Sequence, residues 1–163
     1  MNYISTRGLA PELDFEQVLL AGLAVDGGLY VPVEWPHFSA SELRGMAGLS
    51  YSELALRIMQ PLIDPAIAPD VLERMIDDAY AGFDHAQVTP LAQLGQHSWL
   101  LELFHGPTLA FKDVALQLVG RLFEHVLNAR GERVTILVAT SGDTGSAAIH
   151  AVKGRKSADI FVL

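Results

Sequence analysis

One of the chain's three lysines, Lys112, stands in the run His105-Gly106-Pro107-Thr108-Leu109-Ala110-Phe111-Lys112-Asp113, with apolar residues before it and a long apolar segment after it. A lysine drawn into apolar surroundings resists protonation and becomes a nucleophilic amine, which is what capture of a carbonyl as a Schiff base requires. A second run, Ala139-Thr140-Ser141-Gly142-Asp143-Thr144-Gly145-Ser146-Ala147-Ala148, follows a β-branched stretch and opens an alanine-rich one. Two glycines let the backbone turn tightly and approach a ligand, while the first N–H groups of the helix point outward. Such a loop suits a carboxylate or phosphate, and Ser141 and Thr144 add hydroxyl donors. The plainer reading is a tight strand-to-helix turn with Ser, Asp or Thr as a helix cap. The run is not a Walker loop, and it lacks the spacing of the dinucleotide fingerprint.

Read together, the runs offer an amine nucleophile beside an anion cradle, the arrangement with which pyridoxal-phosphate enzymes handle amino acids. The alternative for Lys112 is a structural lysine at a helix start, where its charge would oppose the helix dipole. His105 is read as satisfying local backbone in a Gly-Pro turn, in preference to donating to an anion. Arg7 is read as a surface residue in preference to a phosphate clamp. His37, His85, His97, His125 and His150 show no metal-ligand spacing, so no metal is expected.

The elements that must position these groups fall into two regions. Residues 1–85 read as mostly helical, with helices over Phe15–Leu23, Ser39–Met46, Ser50–Leu62 and Pro69–Phe83 and a short extended piece over Leu29–Val33. Ser50 with Glu53 forms a capping box, and Leu72, Met75, Ile76 and Ala79 mark one face of the last helix. From about residue 86 the pattern becomes strand 99–104, helix 112–129, strand 134–139, helix 143–152 and strand 159–163. This alternation implies crossover connections and a parallel sheet covered by helices, with Lys112 and the Gly142 loop at the same sheet edge. Asp113, Gln117, Arg121, Glu124 and Asn128 form one polar stripe on the long helix. The strand 134–139 is expected to be buried. The chain stops within the apolar strand Ile160–Leu163, so it reads as a complete small domain followed by the opening of a larger one.

Composition narrows the class. Half of the 163 residues are hydrophobic and 18% are charged, with no disordered signature. The absence of cysteine excludes disulfides, thiol nucleophiles and cysteine metal sites. No signal sequence and no run of about 20 apolar residues is present, so a cytoplasmic protein without membrane partners is expected. The net charge of −8 argues against nucleic acid. The one basic cluster, Lys153 to Lys156, is read as cations at a helix C-terminus.

The runs 105–113 and 139–148, with Tyr3-Ile4-Ser5-Thr6-Arg7-Gly8 and Asp26-Gly27-Gly28-Leu29-Tyr30-Val31-Pro32, resemble the bacterial and fungal branch of the threonine synthases. The resemblance spans essentially the whole chain. It implies a helical N-terminal domain, residues 1–85, followed over 86–163 by the beginning of a three-layer, parallel-sheet pyridoxal-phosphate domain of the tryptophan-synthase β type. It further implies that Lys112 binds pyridoxal 5'-phosphate, that Asp143 faces it, and that Ser141, Gly142, Thr144 and Gly145 hold the substrate carboxylate. The implied reaction turns O-phospho-L-homoserine and water into L-threonine and phosphate. The family's cofactor-phosphate loop and the partner of the pyridine nitrogen would lie beyond residue 163, so the isolated chain is expected to be inactive. Two alternatives stay open: a threonine-synthase-like phospholyase and a non-catalytic truncated paralogue. Oligomeric state is not legible here.

Overall fold

The computed structural model describes residues 1–140 and 142–163. The chain forms two compact units, Met1–Arg74 and Met75–Leu163, so the division falls earlier than the expected change near residue 85.

The first unit carries more sheet than its sequence suggested. Strands β1 (Asn2–Ser5), β2 (Leu13–Asp14) and β3 (Tyr30–Pro32) form an antiparallel sheet in the order β2-β1-β3, with Tyr3 opposite both Leu13 and Pro32. These strands are too short to show an alternating pattern, and side-chain bonds from outside them set their pairing. Asp26 is the fastening. Its Oδ1 accepts from the Ser5 hydroxyl at 2.7 Å and the Gly28 N–H at 2.9 Å, and its Oδ2 accepts from the N–H groups of Leu9 and Ala10, each at 3.0 Å. A Cβ on Gly28 would stand 2.2 Å from the Ser5 hydroxyl oxygen, so this turn tolerates no side chain there.

Three helices of this unit begin with the same local device. In α1 (Phe15–Ala21), α2 (Ala40–Gly45) and α3 (Tyr51–Ile63), the capping residues Asp14, Ser39 and Ser50 bond reciprocally with Gln17, Glu42 and Glu53. Each pair satisfies two backbone donors that helix geometry leaves free. The next helix, α4 (Pro69–Tyr80), contains the division between the units.

In the second unit, β4 (Leu91–Gln93) and β5 (Trp99–Leu101) form an antiparallel hairpin, then come α5 (Asp113–Arg130), β6 (Val134–Val138), α6 (Asp143–Val152) and β7 (Ala158–Val162). Strands β6 and β7 pair in parallel from Val134–Ala158 to Val138–Val162, with α6 as the crossover. The expected membership of the 99–104 strand in that parallel sheet does not hold. The short connection over Leu94–Ser98 folds β5 back on β4, with the Leu94 N–H donating to the Ser98 carbonyl at 3.0 Å, and so short a loop permits only antiparallel pairing. Strand β6 is covered on one face only, since Leu137 is 69% exposed.

Helices α5 and α6 cross closely at Gly120, where a Cβ would lie 2.5 Å from the Ala151 carbonyl oxygen. Arg155 donates through Nε to that same carbonyl at 2.6 Å and pairs with Glu124 of α5. A cation therefore does sit at the C-terminal end of α6, where the dipole favours it. No described helix is long and apolar enough to cross a membrane.

Candidate functional site

Lys112 is the last residue before α5, in helical conformation but with no side-chain cap of its own. Its Nζ donates to Asp143 Oδ2 at 3.1 Å, across 31 residues of sequence. The ammonium also lies 4.1 Å from the centre of the Phe111 ring, within range of a cation–π contact. It lines an apolar groove of about 410 Å³ with Leu103, Phe111, Val114, Leu116 and Thr144. At 28% exposure the amine is open to a ligand entering that groove. The apolar setting expected from the sequence is therefore half the picture: the walls are apolar, but the nearest polar partner is a carboxylate.

Asp143 opens α6, where a negative charge meets the positive end of the helix dipole. The hydrogen bond from Lys112 holds its carboxyl below the usual carboxylate range; slight burial opposes this, and the Lys112 charge, the Thr144 N–H and its own N–H add to it. Thr144 faces the apolar groove. Gly142 is exposed and a Cβ there would meet open space. Gly145 is buried, and a Cβ on it would stand 2.4 Å from Thr140 Cγ2, so its missing side chain serves the packing of the turn. Ser141 lies outside the described residues.

His105 does something its sequence setting did not suggest. Its Nδ1 lies 2.6 Å from Asp84 Oδ1 and its Nε2 lies 2.8 Å from Glu102 Oε2, while its carbonyl accepts from the Asp84 N–H at 3.0 Å. The bond to Glu102 pushes the imidazole up from its ordinary value against the opposing effect of burial, and Asp84 raises it further. The ring is bracketed by two carboxylates, so the reading that it mainly satisfies local backbone is too narrow. Sequence reasoning also missed Glu102 and the ring of Phe111, although each lies within three residues of its partner. Among the described residues no cluster of three or more acidic, His or Cys side chains could hold a metal ion.

Residues 2–80 match the family model of the threonine synthase N terminus. The whole chain is 56% identical over 163 residues to a threonine synthase of Pseudomonas aeruginosa, covering 35% of that protein. It is 43% identical over 164 residues to a threonine synthase-like 2 of Homo sapiens, all of this chain matching 34% of that one. Among solved structures, a PLP-bound threonine synthase from Brucella melitensis superposes with a TM-score of 0.97 at 54% identity, over 99% of this chain and 35% of that one. The chain spans about a third of the length of these relatives. The fold is mixed α/β and matches the N-terminal region of threonine synthase structures, one of them PLP-bound. Along its whole length the chain is similar to threonine synthases, and residues 2–80 match the N-terminal model of that family.

Proposed function

We propose that the protein carrying this chain is a threonine synthase that uses pyridoxal 5'-phosphate to convert O-phospho-L-homoserine and water into L-threonine and phosphate. The observation that carries the reading is the 3.1 Å bond between Lys112 and Asp143, which unites the two chemistry-bearing runs beside one apolar groove. The donor set fits the cofactor: a partly exposed primary amine suits its aldehyde, and the groove beside it suits an aromatic ring. When bound, the cofactor supplies an electron sink for carbanion chemistry.

Lys112 would hold the cofactor through its amine and, once released by the substrate's own amine, would move protons at the substrate's α and β carbons. Asp143 would hold the lysine in place and face the cofactor ring. The backbone N–H groups of Gly142, Thr144 and Gly145, with the hydroxyls of Ser141 and Thr144, would receive the substrate carboxylate. The leaving phosphate and the incoming water balance the reaction: a C–O bond breaks at the γ carbon and water adds at the β carbon.

In this reading residues 1–85 are the family's N-terminal domain. The β6–α6–β7 unit begins the three-layer parallel-sheet domain, and the enzyme is cytoplasmic. The isolated 163 residues bind cofactor weakly, since they span about a third of the relatives' length. Likeness to a threonine synthase-like 2 keeps one other reading in view, elimination of phosphate without formation of threonine. The test is to incubate the full-length protein with pyridoxal phosphate, reduce it with borohydride, and map the pyridoxyl group by peptide mass. Modification of Lys112, together with threonine made from O-phosphohomoserine, is the expected result. An unmodified Lys112 overturns the proposal, and an oxoacid in place of threonine decides for the phospholyase.

A further inference from the structure

The runs around Lys112 and Asp143 are joined twice, once at the surface and once inside the protein. The surface joint is the Lys112–Asp143 bond itself. The inner joint starts at Asp113, which is fully buried at 0% exposure. Its Oδ2 accepts from the Thr108 N–H at 2.7 Å and from the Thr108 hydroxyl at 2.8 Å. Its Oδ1 accepts from Gln117 Nε2 at 3.2 Å. Gln117, itself 3% exposed, turns its other amide atom, Oε1, toward His150 Nδ1 on α6 at 3.1 Å. Gly106 leaves room for this arrangement, because a Cβ there would stand 2.4 Å from the Asp113 Cβ.

A buried carboxylate is a costly way to fill space, and an apolar side chain of similar volume would pack there without desolvating a charge. What the carboxylate adds is direction. Its bonds to Thr108 fix the loop that leads into Lys112, and its bond to Gln117 leads on to His150 and hence to the helix that carries Asp143. Asp113 is bonded through the backbone to Lys112, so holding one residue aims the other.

We infer that Asp113 is a positioning residue, which through Thr108 and Gln117 holds the Lys112 amine within reach of Asp143 and of an incoming aldehyde carbon. It touches neither cofactor nor substrate. The inference rests on the function proposed above and adds to it the residue that aims the nucleophile.

The test uses full-length protein, comparing wild type with Asp113→Ala, Asp113→Asn and Thr108→Val. The measurement is the rate at which borohydride traps pyridoxal phosphate on Lys112, with circular dichroism and thermal midpoint as controls of folding. Because misplacing a reacting group by about 1 Å costs up to about a hundredfold in rate, Asp113→Ala is expected to slow trapping at least about tenfold. Asp113→Asn keeps an oxygen for both Thr108 donors, and its amide bonds to Gln117 once that side chain flips, so it should restore trapping to within about threefold of wild type. Thr108→Val, which removes one donor and leaves the buried charge bonded, should fall between them. Folded Asp113→Ala that traps cofactor at the wild-type rate overturns the inference. So does an Ala variant that only lowers the thermal midpoint, since a purely structural role would do that. Should Asp113→Ala not fold, an unchanged rate in Thr108→Val overturns it equally. Wild-type protein that fails to trap cofactor on Lys112 overturns the function first, and the inference with it.

Discussion

Asp26 in the first unit and Asp143 in the second are both held below the ordinary carboxylate range, by different company. Burial works against Asp26, but bonds from the Ser5 hydroxyl and the Gly28, Leu9 and Ala10 N–H groups outweigh it. Every one of those donors belongs to the fold, and none has to leave for chemistry to occur. Asp143 depends first on Lys112, a side chain with a proposed reaction of its own, and its carboxylate is 56% exposed. A carboxylate saturated by backbone and hydroxyl donors fastens a structure. One held chiefly by a lysine side chain beside a groove is available to a ligand.

Lys112→Ala should have the largest effect: no pyridoxyl group trapped at that position and no threonine formed, with the thermal midpoint close to wild type. A variant that still traps cofactor elsewhere and makes threonine would erase the distinction between the two carboxylates. Gly28→Ala attacks the fastening instead. Forcing a Cβ to within 2.2 Å of the Ser5 hydroxyl should cost about 1–3 kcal/mol of stability, as overpacking typically does, and denaturant unfolding reads it directly. Unchanged stability would mean that the Asp26 hub is not what secures β1 to its neighbours.

His105 supplies an intermediate case, an imidazole held between two carboxylates. Its folded pKa lies above its unfolded value near 6.5, so its contribution is fully present below that value and fades as pH rises through the folded one. His105→Gln should therefore narrow the stability gap between slightly acidic and slightly alkaline buffer, measured as thermal midpoint against pH. Equal slopes in both proteins would show that the Asp84–His105–Glu102 bracket adds nothing. The smallest effect belongs to Asp143→Asn. The folded pKa of Asp143 lies below its unfolded value near 3.8, so its contribution is present above that value and is lost as pH falls through the folded one. The Asn variant should show a shallower loss of stability on acidification, with Lys112 still bonded to an amide oxygen. A steeper acid loss in the variant would contradict this.

How much of this was legible before folding depended on how far apart the partners lie. The Ser50–Glu53 capping box was readable because both partners sit within one turn, and α6 emerged with the bounds its sequence suggested. The sheet of the first unit was not readable: its strands are two to four residues long, and Asp26 bonds across 16 to 21 positions to hold them. The polar stripe on α5 was visible as a pattern, but its environment was not. Asp113 and Gln117 are buried rather than solvated, because Thr108 and His150 arrive from other elements to satisfy them.

The same division runs through the candidate site. The residue types, the helix starts and the order of strand, helix and strand around β6 and β7 follow from side-chain chemistry and hydrogen bonds that close within a few residues. The amine's partner and the burial of the carboxylate behind it were decided by tertiary structure. Lys112 and Asp143 meet because α5 and α6 pack against one another at Gly120, even though the strand before Lys112 belongs to a different sheet from the strand before Asp143. Local propensity carries no information about which distant group will satisfy a buried charge, and that choice is made only when the helices close on each other.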